Sequence, residues 1–195
     1  MCTRYEIGKS MAKRVLILHG WGGSLYPHWQ AHLAADLIQE NYVVSFPELP
    51  NRDLPNLDEW KECIKKEVAH FRPDIVVCHS LANIAWFHCV QELDIFLDKL
   101  MLVAPVRQAC DIEEIKSFFP YPIPNDLKSR EIIMAASTND PYMSIEEAIH
   151  LQQKLNVGMK IMENAGHINA ESGFGKLDCA LDWIKREMPC EESKS

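Results

Sequence analysis

With 195 residues and a hydrophobic fraction of 47%, the chain is long enough to bury the core of one domain and too short for two ordinary domains. Its 28 acidic and 20 basic residues leave a net charge of −8 without a basic cluster, which argues against nucleic acid as a partner, and no apolar run approaches the ~18 residues of a membrane span. Seven cysteines without a Cys-x-x-Cys pair, and an N-terminus without an apolar signal-peptide core, predict reduced thiols and a cytoplasmic protein.

Short apolar runs alternate with helical periodicity along the chain. This alternation predicts an α/β fold, with a parallel sheet covered by helices on both faces and joined by right-handed crossovers. We expect a single domain over residues 1–190 and a frayed tail at 191–195. About six strands, in the expected order 2-1-3-4-5-6, are predicted near residues 14–18, 42–46, 74–78, 99–104, 131–136 and 159–163.

The first predicted strand runs directly into a glycine-rich loop. This loop is His19-Gly20-Trp21-Gly22-Gly23, and its glycines allow the backbone to fold close to a neighbouring segment. The alternative of a dinucleotide-binding turn fails because Leu25 occupies the place of the third glycine of that motif. A helix is then expected to begin at Pro27, a favoured first helical residue. Further helices are predicted over residues 57–71, 81–93, 144–155 and 177–188.

A serine stands between the third predicted strand and the helix after it. The run Cys78-His79-Ser80-Leu81-Ala82 resembles the nucleophile elbow Gly-x-Ser-x-Gly, in which a sharp strand-to-helix turn exposes the hydroxyl group. Cys78 and Ala82 stand where the motif has glycine, and both are small. We expect His79 to have a structural role, because the elbow points its side chain away from that of the serine.

A proline-rich segment, residues 107–130, interrupts the alternation between the fourth and fifth strands. Its spacing of aromatic residues and prolines suits a short, irregular cap over the sheet edge. Phe118, Phe119 and Tyr121 are therefore candidates to line an acyl pocket, or alternatively to anchor the connection by local burial.

An acidic residue and a histidine follow the last two predicted strands. Asp140 lies in Ser137-Thr138-Asn139-Asp140-Pro141, and His167 ends the run Asn164-Ala165-Gly166-His167. The carboxyl ends of parallel strands meet at one edge of the sheet, where open α/β sheets place their sites. A nucleophilic serine needs a base and an acid that orients the base, and the chain order Ser, Asp, His is that of α/β-hydrolases. The sequence therefore predicts a triad of Ser80, Asp140 and His167.

Acyl transfer also needs hydrogen-bond donors for the oxyanion that forms. In this fold one donor is the N–H of the residue after the nucleophile, here Leu81, and the other comes from the loop after the first strand. By position, the N–H of Trp21 is the expected second donor, and that of Gly22 is the alternative.

On these motifs the chain resembles the small α/β-hydrolases of the retinoblastoma-binding-protein-9-like group, from residue 15 to about residue 183. The resemblance implies a compact hydrolase domain that needs no cofactor or metal and acts on small acyl substrates. It assigns the roles of nucleophile to Ser80, of general base and then acid to His167, and of orienting carboxylate to Asp140. The Leu-x-Cys-x-Glu motif associated with pocket-protein binding is absent, so that partnership is not implied.

Two other functions are weighed against an esterase-like serine hydrolase. The first is a non-catalytic binding or regulatory protein on the same scaffold, because a fold does not imply a function. The second is a metallohydrolase using His28 and His32, one helical turn apart, but no glutamate accompanies them in a His-Glu-x-x-His arrangement. The oligomeric state and the natural substrate are left open.

Overall fold

A computed structural model describes residues 12–186 of the chain. Within them, six strands form one parallel sheet in the order β2-β1-β3-β4-β5-β6. The strands are β1 (Arg14–Leu18), β2 (Val43–Ser45), β3 (Ile75–His79), β4 (Leu97–Val103), β5 (Ser129–Ser137) and β6 (Gly158–Met162). The fold class and strand order agree with the sequence prediction, whereas the predicted tail at 191–195 lies outside the described residues.

Five α-helices in the described range surround the sheet. They are α1 (Trp29–Gln39), α2 (Leu57–Phe71), α3 (Leu81–Cys89), α4 (Ile145–Leu155) and α5 (Asp178–Lys185). A capping box starts α4: the Ser144 hydroxyl accepts from the N–H of Glu147, whose carboxylate accepts from the N–H of Ser144. No helix among residues 12–186 is long and apolar enough to cross a membrane.

The two faces of the sheet carry separate hydrophobic clusters. Helices α2, α3 and α4 pack on the face that we call the first face, and α1 and α5 pack on the second face. The central strand β3 is buried on both sides, with Val76 and Cys78 in the first cluster and Ile75 and Val77 in the second. Alternating side chains of a buried parallel strand necessarily serve both clusters.

Helix α1 begins at Trp29, not at Pro27 as the sequence predicts. His28 keeps an extended backbone (φ −61°, ψ 144°), and its Nδ1 accepts a hydrogen bond of 3.2 Å from the N–H of Gln30. A helix starts where a side chain can accept from its free N–H groups, so the histidine that caps the helix determines its first residue.

A buried lysine caps the C-terminal end of α5. Lys99 of β4 is 1% exposed, and its ammonium group donates to the carbonyl oxygens of Trp183 (2.8 Å), Ile184 (3.2 Å) and Arg186. The last carbonyls of a helix have no partner within it and carry partial negative charge, so a cation stabilises them. Lys99 therefore links the centre of the sheet to the last helix.

Two histidines connect α1 to the carboxyl end of β3. The ring of His79 packs against the rings of His28 (centroids 4.9 Å apart) and Trp29 (5.7 Å). Burial lowers the pKa of His28 to about 4 and lowers the pKa of His79 well below its ordinary value. Both rings are therefore neutral in the folded protein at pH 7.

We predict that replacing Lys99 with methionine lowers the free energy of unfolding by about 2 kcal/mol, because two buried carbonyls and a partly buried one lose their donor. Urea denaturation followed by circular dichroism measures the change. The matched control is Lys160→Met, since Lys160 lies exposed on the edge strand β6 and its loss should change stability by less than about 0.5 kcal/mol. Equal effects of the two substitutions would refute the role assigned to Lys99.

We also predict that acid destabilises the fold through its buried histidines. Because the folded-state pKa of His28 is lowered, the unfolded chain binds the additional proton between pH 6.5 and about 4, and stability falls as the pH falls through this window. Each such group contributes a slope of up to about 1.4 kcal/mol per pH unit.

Denaturation at pH 7, 6 and 5 tests this prediction with the variant His28→Asn, which retains a side chain that can cap α1. The slope of stability against pH should be smaller in this variant than in the wild type. His150→Asn, at an exposed position of α4, is the control and should leave the slope unchanged. A slope that does not respond to His28→Asn contradicts the prediction.

Candidate active site

Ser80 occupies a strained turn between β3 and α3. Its backbone has φ 53° and ψ −122°, a conformation that residues with side chains rarely adopt. The backbone N–H of Ser80 donates to the carbonyl of Val103 (2.9 Å). The side-chain amide of Asn83 donates from Nδ2 to the carbonyls of both Ser80 and Val103 (2.9 Å each). Cys78 and Ala82, which replace the glycines of the motif, are fully buried, so small side chains suffice for this turn.

The loop after β1 approaches this turn closely. A Cβ atom placed on Gly20 would lie 2.7 Å from Ser80 Cβ, which is closer than real Cβ atoms come, and 3.3 Å from Ser80 Oγ, which is a tight contact. Glycine is therefore required at position 20 for the loop to pass beside the serine.

Ser80, His167 and Asp140 form a continuous chain of hydrogen bonds. Ser80 Oγ lies 2.8 Å from His167 Nε2, and His167 Nδ1 lies 2.9 and 3.0 Å from the two carboxylate oxygens of Asp140. The side chains of His167 and Asp140 are 8% and 3% exposed. A carboxylate only accepts, so Nδ1 donates to Asp140, which leaves Nε2 to accept from the serine hydroxyl.

Tyr142 supports both members of the Asp140–His167 pair. Its N–H donates to the Asp140 carboxylate (2.9 Å), and its ring contacts the ring of His167 edge-on with centroids 4.6 Å apart. The carboxylate is thus fixed by a backbone donor as well as by the imidazole.

A run of three polar side chains, Ser137, Thr138 and Asn139, holds the loop that carries the histidine. Their oxygens accept from consecutive backbone N–H groups on that loop at 2.7–2.9 Å: Thr138 from Asn164, Ser137 from Ala165 and Asn139 from Gly166. We call this arrangement the strand-end clamp. These residues were recognised from the sequence as a motif, but their contacts were not predicted. Three adjacent short polar side chains at a strand end could have indicated hydrogen bonds to a neighbouring backbone segment.

His79 also supports the histidine loop. Its Nε2 lies 3.1 Å from the carbonyl oxygen of His167 and therefore donates a hydrogen bond to it. The ring of His79 contacts that of Trp29, a residue of the second-face cluster. Sequence analysis expected a structural role for His79 without identifying this contact.

The two N–H groups expected to serve as oxyanion donors have no acceptor among residues 12–186. They belong to Leu81, the first residue of α3, and to Trp21. The alternative donor, Gly22, is already bonded to the carbonyl of Arg52 (3.0 Å). The Trp21 indole donates to the carbonyl of Asp53 (3.0 Å), so the loop after β2 supports this segment.

His19 fixes the start of the same loop. Its Nδ1 donates to the carbonyl of Gly20 (2.7 Å), and its Nε2 accepts from the N–H of Leu49 (2.8 Å). Burial lowers the pKa of His19, which favours the neutral ring that this pair of hydrogen bonds requires.

A cavity of about 410 Å³ opens beside Ser80. Trp21, Leu81 and His167 line it, as do His28, Tyr142 and other residues of the surrounding loops. The cavity is not lined by the aromatic residues that were expected to form an acyl pocket, Phe118, Phe119 and Tyr121.

Phe118 and Tyr121 anchor the connection by local burial, the alternative that the sequence left open. Phe118 is fully buried against Trp60 (centroids 5.2 Å apart), and the Tyr121 hydroxyl donates to the carbonyl of Val106 (2.9 Å). Ile112 and Ile115 of the same segment reach the cavity instead. Large aromatic side chains gain most by burial in the core, and this gain turns them away from the site.

The metal alternative finds no support in the described part of the chain. His28 uses Nδ1 to cap α1, and the His32 ring packs against Tyr26 (centroids 5.1 Å apart). Among residues 12–186, no group of three or more His, Cys, Asp or Glu side chains is placed to hold a metal ion.

Solved structures share this fold. The ydeN gene product of Bacillus subtilis has a TM-score of 0.81 and 20% identity, covering 89% of this chain and 97% of its own. A YdeN-like hydrolase from Pectobacterium atrosepticum has a TM-score of 0.71 and 26% identity, covering 88% and 89%. The esterase domain of a Rhodothermus marinus protein has a TM-score of 0.62 and 14% identity, covering 87% and 84%.

Comparison with curated proteins by sequence finds no significant match. In contrast, residues 15–186 match the family described as serine hydrolase. This match extends over most of the chain and includes Ser80, Asp140 and His167. The chain therefore belongs to the serine hydrolase family, and its fold is that of the α/β-hydrolases.

Proposed function

We propose that the protein hydrolyses small acyl substrates, with esters as the main class and thioesters or activated amides as related ones, through an acyl-enzyme on Ser80. The observation that carries this proposal is the unbroken hydrogen-bonded chain from Ser80 through His167 to Asp140 beside an open cavity. Family membership supports hydrolysis in general, and the geometry supports these three residues as the catalytic triad.

In the first half of the reaction, Ser80 Oγ attacks the substrate carbonyl while His167 Nε2 takes its proton. Asp140 keeps the ring in the tautomer that can accept this proton and stabilises the imidazolium that results. His167 then gives the proton to the leaving group, which departs from the acyl-enzyme. Water, deprotonated by the same histidine, attacks the acyl-enzyme and releases the acid.

The negative charge on the carbonyl oxygen is stabilised by the N–H groups of Leu81 and Trp21. Both lack an acceptor within the described chain, and both border the cavity that contains Ser80. Donors that are already in position stabilise the transition state without reorganisation, and one such donor contributes about 10²–10³-fold in turnover.

We place the protein more narrowly in the retinoblastoma-binding-protein-9-like group, on the loop motifs around Trp21, Ser80 and His167. The short cap of residues 107–130 favours small or accessible substrates. The Rhodothermus marinus neighbour, whose fold is shared, is described as an esterase domain, which supports ester chemistry as the first class to test. No cofactor enters the proposed reaction.

We predict that a fluorophosphonate forms a single covalent adduct on the wild-type protein and none on Ser80→Ala. Only an activated serine reacts with this reagent, and intact mass spectrometry reads the result. Ester hydrolysis should fall by about 10⁴-fold or more in the same variant.

The control for this experiment is Ser129→Ala, because Ser129 begins β5 at the opposite end of the sheet. This variant should label and hydrolyse like the wild type. Absence of an adduct on folded wild-type protein would overturn the proposal and favour a non-catalytic binding protein on this scaffold. Wild-type hydrolysis by folded Ser80→Ala would have the same consequence.

We also predict that Gly20→Ala lowers kcat by about 10²-fold or more, because the added methyl group displaces the loop or Ser80 from its position. Ester kinetics and the rate of fluorophosphonate labelling measure this effect. Gly175→Ala is the matched control: its added Cβ would meet only ordinary contacts, the nearest at 3.7 Å. Unchanged kinetics in Gly20→Ala would show that the close approach to Ser80 is not needed.

A further inference from the structure

The walls of the cavity come from opposite faces of the sheet. The wall that we call apolar consists of side chains that also pack in or against the first-face cluster: Leu81, Val106, Ile112 and Ile115. The wall that we call polar includes His28, which precedes α1, and residues 169–171, which lie between β6 and α5. Both α1 and α5 pack on the second face. Ser80 lies between the two walls, at the edge of the sheet.

The position of His167 determines which wall receives which half of the substrate. His167 must protonate the leaving group, so the leaving group lies on the side of the histidine. The polar wall adjoins His167, because residues 169–171 continue its loop and His28 packs on His79, which holds that loop. The acyl chain then extends towards the apolar wall.

His28 presents a hydrogen-bond donor to this polar wall. Because Nδ1 accepts from the N–H of Gln30, the proton of the neutral ring is on Nε2. Nε2 has no partner among residues 12–186, although the residue is only 6% exposed and lines the cavity. Burial lowers its pKa to about 4, so the ring stays neutral and offers a single, fixed donor at pH 7. Nε2 is not one of the fully buried atoms without a partner, so it is accessible from the cavity and free to donate to a bound ligand.

We infer that His28 is a specificity-determining residue that donates from Nε2 to an oxygen acceptor in the leaving group. The preferred substrates are then esters of an apolar acid with an alcohol that carries an ether, hydroxyl or carbonyl oxygen near the ester bond. This inference rests on the proposed function, and it adds the division of the substrate between the two walls.

Three esters of matched size test this inference. Butyl butyrate is the reference; 2-methoxyethyl butyrate replaces one CH₂ of the alcohol with oxygen, and butyl methoxyacetate makes the same replacement in the acid. For each protein, kcat/KM of the oxygen-containing esters is divided by that of the reference. Differences in intrinsic reactivity cancel when these ratios are compared between wild type and variants.

The variants are His28→Phe, which keeps a ring against His79 and Trp29, and His28→Asn, which keeps a cap for α1. Both lack the imidazole donor. We expect the ratio for 2-methoxyethyl butyrate to fall by about fivefold in both variants, the effect of one neutral hydrogen bond, and the ratio for butyl methoxyacetate to stay constant.

Two outcomes would overturn the inference: equal losses on all three esters, which indicate a purely structural role of His28, or a fall confined to butyl methoxyacetate, which reverses the walls. Fluorophosphonate labelling of Ser80 is measured on the same samples. If the proteins label but the kcat/KM ratios of the His28 variants equal those of the wild type, the role of His28 is rejected and the proposed function stands. If the wild-type protein does not label, the proposed function itself is rejected.

Discussion

The site depends on holding two side chains that are 87 positions apart in the chain at a separation of 2.8 Å. Ser80 follows β3 and His167 follows β6, with β4 and β5 between these strands in the sheet. The strand-end clamp bridges part of this gap, since Ser137, Thr138 and Asn139 accept from successive N–H groups of the histidine loop. Functional sites generally tolerate displacements of only about 0.5 Å, so these short polar contacts support the geometry as much as the hydrogen bonds of Ser80, His167 and Asp140 do.

The strain at Ser80 is the second constraint, and neighbouring groups maintain it. A non-glycine residue with a φ of 53° persists only where the surroundings allow no alternative. Asn83 donates to both carbonyls that border the turn, and the N–H of Ser80 is bonded to the neighbouring strand β4. Gly20 fills the remaining space from the other side. The turn thus forms with Cys78 and Ala82 in place of glycine, and Gly20, a residue outside the motif, makes the close contact with Ser80.

The fold and the three residues of the hydrogen-bonded chain could be predicted from the sequence, but most of the contacts that support these residues could not. Strands such as Ile75–His79 can be predicted because burial on both faces makes their sequences continuously apolar. Asp140 and His167 each follow such a strand, and parallel strands end at the same edge of the sheet. For the aromatic residues of the cap, the sequence left two roles open, pocket lining and local burial. Proline-spaced aromatic residues indicate burial and not its direction, and Phe118 is buried in the core beside Trp60. The contacts of Asn83 and the clamp join distant segments and leave no periodic pattern.

The buried histidines illustrate why polar residues are retained so close to the core. An apolar residue at position 79 would pack equally well against Trp29, but it could not donate to the carbonyl of His167. Such a carbonyl, removed from water without a partner, would favour rearrangement of the histidine loop. The neutral ring of His79 joins the hydrophobic packing of the second face to the backbone of His167, so displacement of α1 would be transmitted to His167. The packing of the second-face cluster and the position of His167 are therefore coupled through His79.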